Sequence, residues 1–238
     1  MLSLDADIGL DCNRDRSRLF SSWIYHFGST EVDGLIEVKS KLMEAVYLQP
    51  GADFRTYTQI MIDPSVVSFR KNWLQNQNNS QPIGAADRQI SAADAQNILN
   101  TAQMTFDQVF SDTLAKAGYT IVTAAGPGVL RLSPSVANLY IVDPQPNGPT
   151  MGRTFTVQPS EATLVLEARD SQTNTKLAVV LDEQETQSAG GAQFSSQSGN
   201  LADFKKMVDF WASTSAKGLE NLKAVSPVPT DLSPNQKL

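Results

Sequence analysis

Residues 161–183, EATLVLEARDSQTNTKLAVVLDE, decide the fold. Ala162, Leu164, Leu166 and Ala168 alternate with Thr163, Val165, Glu167 and Arg169, the period of two that sends successive side chains to opposite faces of a strand. Lys176 to Glu183 repeats the alternation, with Leu177, Val179 and Leu181 sharing a face. The polar link Asp170 to Thr175 includes Asn174, which tolerates left-handed backbone. Strands joined by so short a link pair antiparallel, so the chain holds an antiparallel sheet with an apolar face to cover.

The cover is encoded on either side. Upstream, Ser91 and Asp94 stand at capping-box spacing, with Asp in place of the usual Glu or Gln. From there Ala95, Ile98, Leu99, Ala102, Phe106, Val109, Phe110 and Leu114 recur at three- and four-residue steps, and Gly118 is a natural stop. Downstream, Asn200 is read as the cap of a second helix lined by Leu201, Phe204, Val208, Trp211, Ala212, Leu219 and Leu222. Each buried Phe or Leu contributes roughly 1.5–3 kcal/mol.

Further strands are expected at Ala45–Leu48, ended by Pro50-Gly51, and at Thr58–Ile62, ended by Asp63-Pro64. Tyr119–Ala124 and Val129–Leu132 flank Gly126-Pro127-Gly128, read as a hairpin turn, and Pro134 implies an edge, bulge or break before Val136–Val142. The stretches 75–89, 143–159 and 186–199 read as polar loops. The resulting expectation is an α+β domain over residues 44–224, with two layers. It has a mostly antiparallel or mixed sheet of about five strands and two long amphipathic helices packed on one face. Residues 1–43 are read as an irregular N-terminal segment, a mis-assigned start or a tether, and 225–238 as a disordered, proline-containing tail.

Composition narrows the chemistry. The chain has 238 residues and 25 acidic against 19 basic groups, a net charge of −6, which disfavours a nucleic-acid partner. One cysteine, Cys12, permits neither an internal disulfide nor a thiolate metal cluster. The single histidine, His26, lies outside the expected domain, so Ser-His-Asp and Cys-His chemistry is disfavoured. No run reaches the roughly 18 apolar residues of a membrane-spanning helix. Arg14, Arg16 and Arg18 precede the short apolar run around Trp23-Ile24-Tyr25. Neither a full signal peptide nor a lipid-attachment site at Cys12 is recognisable.

The blocks AVYLQPGADFRTYTQIMIDP (45–64), FRKNWL (69–74), GYTIVTAAGPGVLRL (118–132), EATLVLEARDSQTNTKLA (161–178) and ADFKKMVDFWA (202–212) stand in an order that resembles a family of bacterial lipoproteins known only as a domain of unknown function. The likeness runs from about residue 33 to 224. It implies a periplasmic or outer-membrane location, with membrane attachment only through a lipid anchor not visible in this chain. It carries no catalytic residues, cofactor or metal.

Several residues invite a functional reading. Phe69, Arg70, Lys71 and Trp73 set two cations among aromatics, the composition of a docking patch; the preferred alternative is that the rings belong to the core and the cations extend outward. Asp63 reads as a turn starter before proline. Glu161, Glu167, Asp170, Asp182, Glu183 and Glu185 offer carboxylate pairs, on what reads as a solvated sheet face. Gly126-Pro127-Gly128 precedes a strand, not a helix, so it is not a phosphate loop. Two classes follow. The first is a non-catalytic envelope protein binding another protein or a cell-wall component. The second is a carboxylate- or metal-dependent hydrolase of envelope glycans, needing two acids roughly 5–10 Å apart in a cleft.

Overall fold

The computed structural model describes residues 29–80, 89–141, 159–185 and 197–238, without the side chains of 159–160 and 197–203. The features around Cys12 and His26, the segments 81–88 and 142–158, and most of 186–199 lie outside these residues.

The strands are β1 (Glu31–Val32), β2 (Leu35–Val38), β3 (Ala45–Leu48), β4 (Gln59–Ile62), β5 (Val66–Phe69), β6 (Thr120–Val122), β7 (Val129–Ile141), β8 (Pro159–Asp170) and β9 (Lys176–Glu185). The helices are α1 (Trp73–Asn79), α2 (Ala92–Lys116) and α3 (Gln197–Val225). The strands form one mixed sheet in the order β1-β2-β3-β9-β8-β7-β4-β6, with β5 also paired to β7. From β1 to β7 the neighbours run antiparallel, and β7 pairs in parallel with β4 and β5.

The α+β class and the β8–β9 hairpin are as expected from the sequence, and Asn174 takes φ +59°. Asp170 pins that hairpin. Its Oδ1 accepts from the backbone of Gln172 (3.0 Å) and Thr173 (2.7 Å), and its Oδ2 from Tyr57 Oη (2.9 Å). The backbone N–H of Thr173 is the chief cause holding this carboxyl below its ordinary pKa. Tyr57 is pushed up, first by burial and then by Asp170. Helix α2 starts on the expected capping box: Ser91 Oγ accepts from Asp94 N (3.1 Å), while Ser91 N donates to Asp94 Oδ2 (3.0 Å).

Among the described residues the sheet has nine strands, not about five. Three of the additions are β1, β2 and β5; β1 and β2 pair with each other across the tight turn Asp33-Gly34, at φ +53° and +78°. Two of them, β1 and β2, fall inside the segment 1–43 read as irregular. Gly126-Pro127-Gly128 is not a hairpin turn. Strands β6 and β7 both pair in parallel with β4, which lies between them, so residues 123–128 carry the chain back past the start of β4. There Gly128, at φ +69°, donates no side chain to a space where a Cβ would sit 2.9 Å from Thr56 O. Pro134 does not interrupt β7. Leu132 O accepts from Asp63 N (2.9 Å), so Pro134, two residues on, turns its missing N–H to the same side, into the gap between β4 and β5.

Four other expectations also change. Residues 75–79 belong to α1 and not to a loop, because Trp73 Nε1 and Gln77 Nε2 both donate to Ile141 O (2.9 and 3.0 Å) and dock that helix on the end of β7. Helix α3 begins at Gln197, so Asn200 lies within its first turn and is not its cap. The stretch 225–238 is not a free tail: Val228 and Leu232 are buried, and Val228 N donates to Ala52 O (2.8 Å). Its end lies along β2, with Lys39 N on Gln236 O (2.9 Å) and Asn235 N on Glu37 O (2.8 Å). Finally, Val165, Val179 and Leu181 face away from the helices and form a second apolar cluster with Val32, Leu35, Ala45 and Tyr47, so the sheet is apolar on both sides here.

Helices α2 and α3 cover the other face. Phe106, Phe110 and Leu114 of α2 and Phe204, Val208 and Trp211 of α3 share one core with Leu130, Leu164 and Leu166 of the sheet. Thr113 Oγ1 donates to Asp209 Oδ1 (2.7 Å) between the helices. Among the described residues, no helix is long and apolar enough to cross a membrane.

Candidate functional site

Helix α3 changes character along its length. Up to Trp211 its inner face carries large side chains, then Ala212, Ser215, Ala216 and Gly218 follow before Leu219 and Leu222. Opposite the small residues the sheet presents Ala168 and Ala178. Short side chains on both layers cannot meet across the roughly 10 Å that separates packed layers. The result is a cavity of about 700 Å³ between α3 and the sheet.

Its walls are apolar. Ile60, Leu130, Leu132, Leu166 and Val180 line the sheet side, Leu219 and Leu222 the helix side, and Phe54 and Leu114 contribute further. Gly218 lies on the wall, and a Cβ there would meet nothing within 4 Å. Ser215 Oγ is buried against the cavity without a hydrogen-bond partner. The mouth is exposed and basic: Lys39 and Lys41 from the β2–β3 link, Lys237 from the C-terminal segment, with Asn221 and Val225 of α3. Among the described residues, no Asp or Glu side chain lines the cavity.

The residues singled out from sequence lie elsewhere. Trp73 is buried, and its ring stacks on Phe69 at 3.8 Å between centroids. Arg70 points outward, paired with Glu161 Oε2 at 2.7 Å and lying 5.9 Å from the centre of the Tyr140 ring; Lys71 is exposed. Beside them a groove of about 540 Å³ runs along Leu74, Ala95 and Leu99. Asp63 is buried in the β4–β5 link and accepts from Arg131 Nε (2.9 Å) and Ser133 Oγ (2.6 Å), which makes it a structural tie as well as a turn.

The carboxylates do not share one solvated face. Asp182 points at the helices, buried, accepting from Trp211 Nε1 (2.9 Å), Gln184 Nε2 (2.7 Å) and Glu44 N (3.1 Å). Glu167 is buried on the other side under Arg169, whose Nη2 lies 2.6 Å away. Trp211 is core, as the sequence indicated. Among the described residues, no three His, Cys, Asp or Glu side chains are grouped to hold a metal ion.

Sequence reading missed the cavity. Its signal is the run from Ser213 to Gly218, STSAKG, where an apolar helix stripe turns small and admits a glycine that costs roughly 1 kcal/mol relative to alanine.

No curated protein matches this chain in sequence. Solved structures similar to it include the dodecamer of a single-substitution variant of PelC from Paraburkholderia phytofirmans, at 11% identity over 71% of this chain and 96% of that one, with a TM-score of 0.34. Another is protein XCC0632 from Xanthomonas campestris, of DUF330, at 9% identity over 74% of this chain and 88% of that one, TM-score 0.37. The family model described as Protein of unknown function (DUF3313) matches residues 26–215, most of the chain, and the protein belongs to that family.

Proposed function

We propose that this protein is a non-catalytic binding protein of the cell envelope that holds an apolar component between α3 and the sheet. The cavity carries the reading. Native interiors leave few voids larger than a water molecule. At about 24 cal/mol per Å³, a closed apolar space of 700 Å³ would cost on the order of 17 kcal/mol, more than the 5–15 kcal/mol that holds a typical domain together. A hollow of this size therefore belongs to a site open at its mouth, and its volume falls in the range of small-molecule pockets. The periplasmic or outer-membrane setting is supported by the resemblance to envelope lipoproteins.

A glycan hydrolase would need two acids converging in a cleft, and among the described residues the walls of this one carry no Asp or Glu side chain. The test is titration with the environment-sensitive probe N-phenylnaphthylamine. Saturable binding to the native protein, lost in Gly218→Leu with the melting transition retained, is the expected result. Equal fluorescence from both proteins overturns the assignment.

A further inference from the structure

We infer that the cavity takes a long-chain amphiphile with an anionic head group, its chain along the apolar walls and its head at the lysines of the mouth; this deepens the reading above and rests on it. The protein as a whole is acidic, at −6, yet Lys39, Lys41 and Lys237 all lie at the exposed lip of an apolar space that, among the described residues, is lined by no Asp or Glu side chain. That local reversal of sign is built by the backbone. The pairing of Val38 with Gln236, and the bond from Lys39 N to Gln236 O, set Lys237 beside Lys39 across nearly the whole length of the chain. Ser40 Oγ accepts from Leu42 N (3.0 Å) and Met43 N (3.2 Å), a serine turn that holds Lys41 at the lip.

Glu37, two residues before Lys39, sits on β2 opposite Tyr47 and acts on that phenol, and two further acids near the cavity are engaged by other groups. Glu220 accepts from Tyr119 Oη and from Lys223 Nζ (3.2 Å), and Glu44 Oε2 accepts from Glu183 N (3.3 Å). None of the three lysines forms an ion pair with a described residue. Gathered like charges repel, and an anion between them relieves that repulsion. Lysine suits the position, since its four-carbon stem packs on an apolar rim while the ammonium stays in water.

The test displaces N-phenylnaphthylamine with palmitate, with lysophosphatidylglycerol and with uncharged hexadecanol. It uses the native protein, the triple variant Lys39→Gln, Lys41→Gln, Lys237→Gln, and Gly218→Leu. At low salt, at least one anionic amphiphile should bind about tenfold or more tightly than hexadecanol. The triple variant should abolish that preference while hexadecanol binds as before, and the two anionic arms tell a carboxylate head from a phosphate one. Equal affinity for charged and uncharged chains in the native protein, or a preference untouched by the triple variant, overturns the anionic head and leaves the apolar cavity standing. Binding of every amphiphile undiminished in Gly218→Leu overturns the cavity assignment itself.

Discussion

Helix α3 meets the same sheet at both of its ends, and the two ends are built differently. Toward its start Phe204, Val208 and Trp211 fill the space to the sheet and to Phe106 and Phe110 of α2, and Trp211 donates to the buried Asp182. Toward its end Ala212, Ser215, Ala216 and Gly218 face Ala168 and Ala178, and the layers stand apart around a cavity of about 700 Å³. Backbone geometry is shared; side-chain volume differs. The packed half holds the fold together, and that surplus allows the other half to stay hollow.

The largest effects belong to the packed end. Trp211→Ala should cost about 3–5 kcal/mol, the range for a large aromatic removed from a core, read by urea unfolding. Trp211→Phe keeps most of the ring and removes the donor to Asp182, and should cost about 1.5–3 kcal/mol. Leu222→Ala, on a half-buried residue at the cavity wall, should cost clearly less than Trp211→Ala. Equal losses from Trp211→Ala and Leu222→Ala would erase the distinction between the ends.

A smaller effect depends on pH. Tyr119 and Glu220 bond to each other beside the hollow end, with Lys223 Nζ 4.6 Å from the tyrosine ring centre. That bond holds Glu220 below its ordinary 4.5, while burial first and Glu220 second push Tyr119 above its ordinary 10.0. A depressed carboxyl stabilises above pH 4.5 and loses that contribution as pH falls; a raised phenol stabilises below pH 10 and loses it as pH rises. The stability gap between the native protein and Tyr119→Phe should be widest between those limits and narrow on both sides. A gap independent of pH would contradict the coupling.

At the hollow end Gly218→Ala should stabilise by about 0.5–1 kcal/mol, because alanine favours the helix and its methyl meets no neighbour. Destabilisation would mean that the wall is already closed there. The smallest effect is expected at the aromatic-basic segment. Arg70→Ala with Lys71→Ala removes two exposed cations and one exposed ion pair, and should move the melting free energy by less than about 1 kcal/mol without altering probe binding.

What could be read from sequence follows the same division. The packed half was legible because large apolar residues repeat at helical spacing from Ala95 to Leu114 and again from Phe204 to Trp211, and because alternation in 161–183 marks a strand pair. Strands β1 and β2 were passed over although Asp33-Gly34 is a tight-turn signal that pairs them with each other; β5 was not legible, since its pairing is decided by the distant β7. The hollow half escaped for a related reason. Small residues announce nothing by themselves; they become a cavity only when the register of β8 and β9 sets Ala168 opposite Ala178 under the same stretch of helix. The mouth depends on the pairing of Val38 with Gln236, which no local pattern foretells.

The claim that α3 and the sheet enclose a ligand site is tested most directly by a crystal structure of the protein grown with palmitate. The account predicts an acyl chain lying between Leu166 and Leu222, with its carboxylate near Lys39, Lys41 and Lys237. A structure in which Leu219 and Leu222 have closed onto Ala168 and Ala178, leaving no space for a chain, would contradict it.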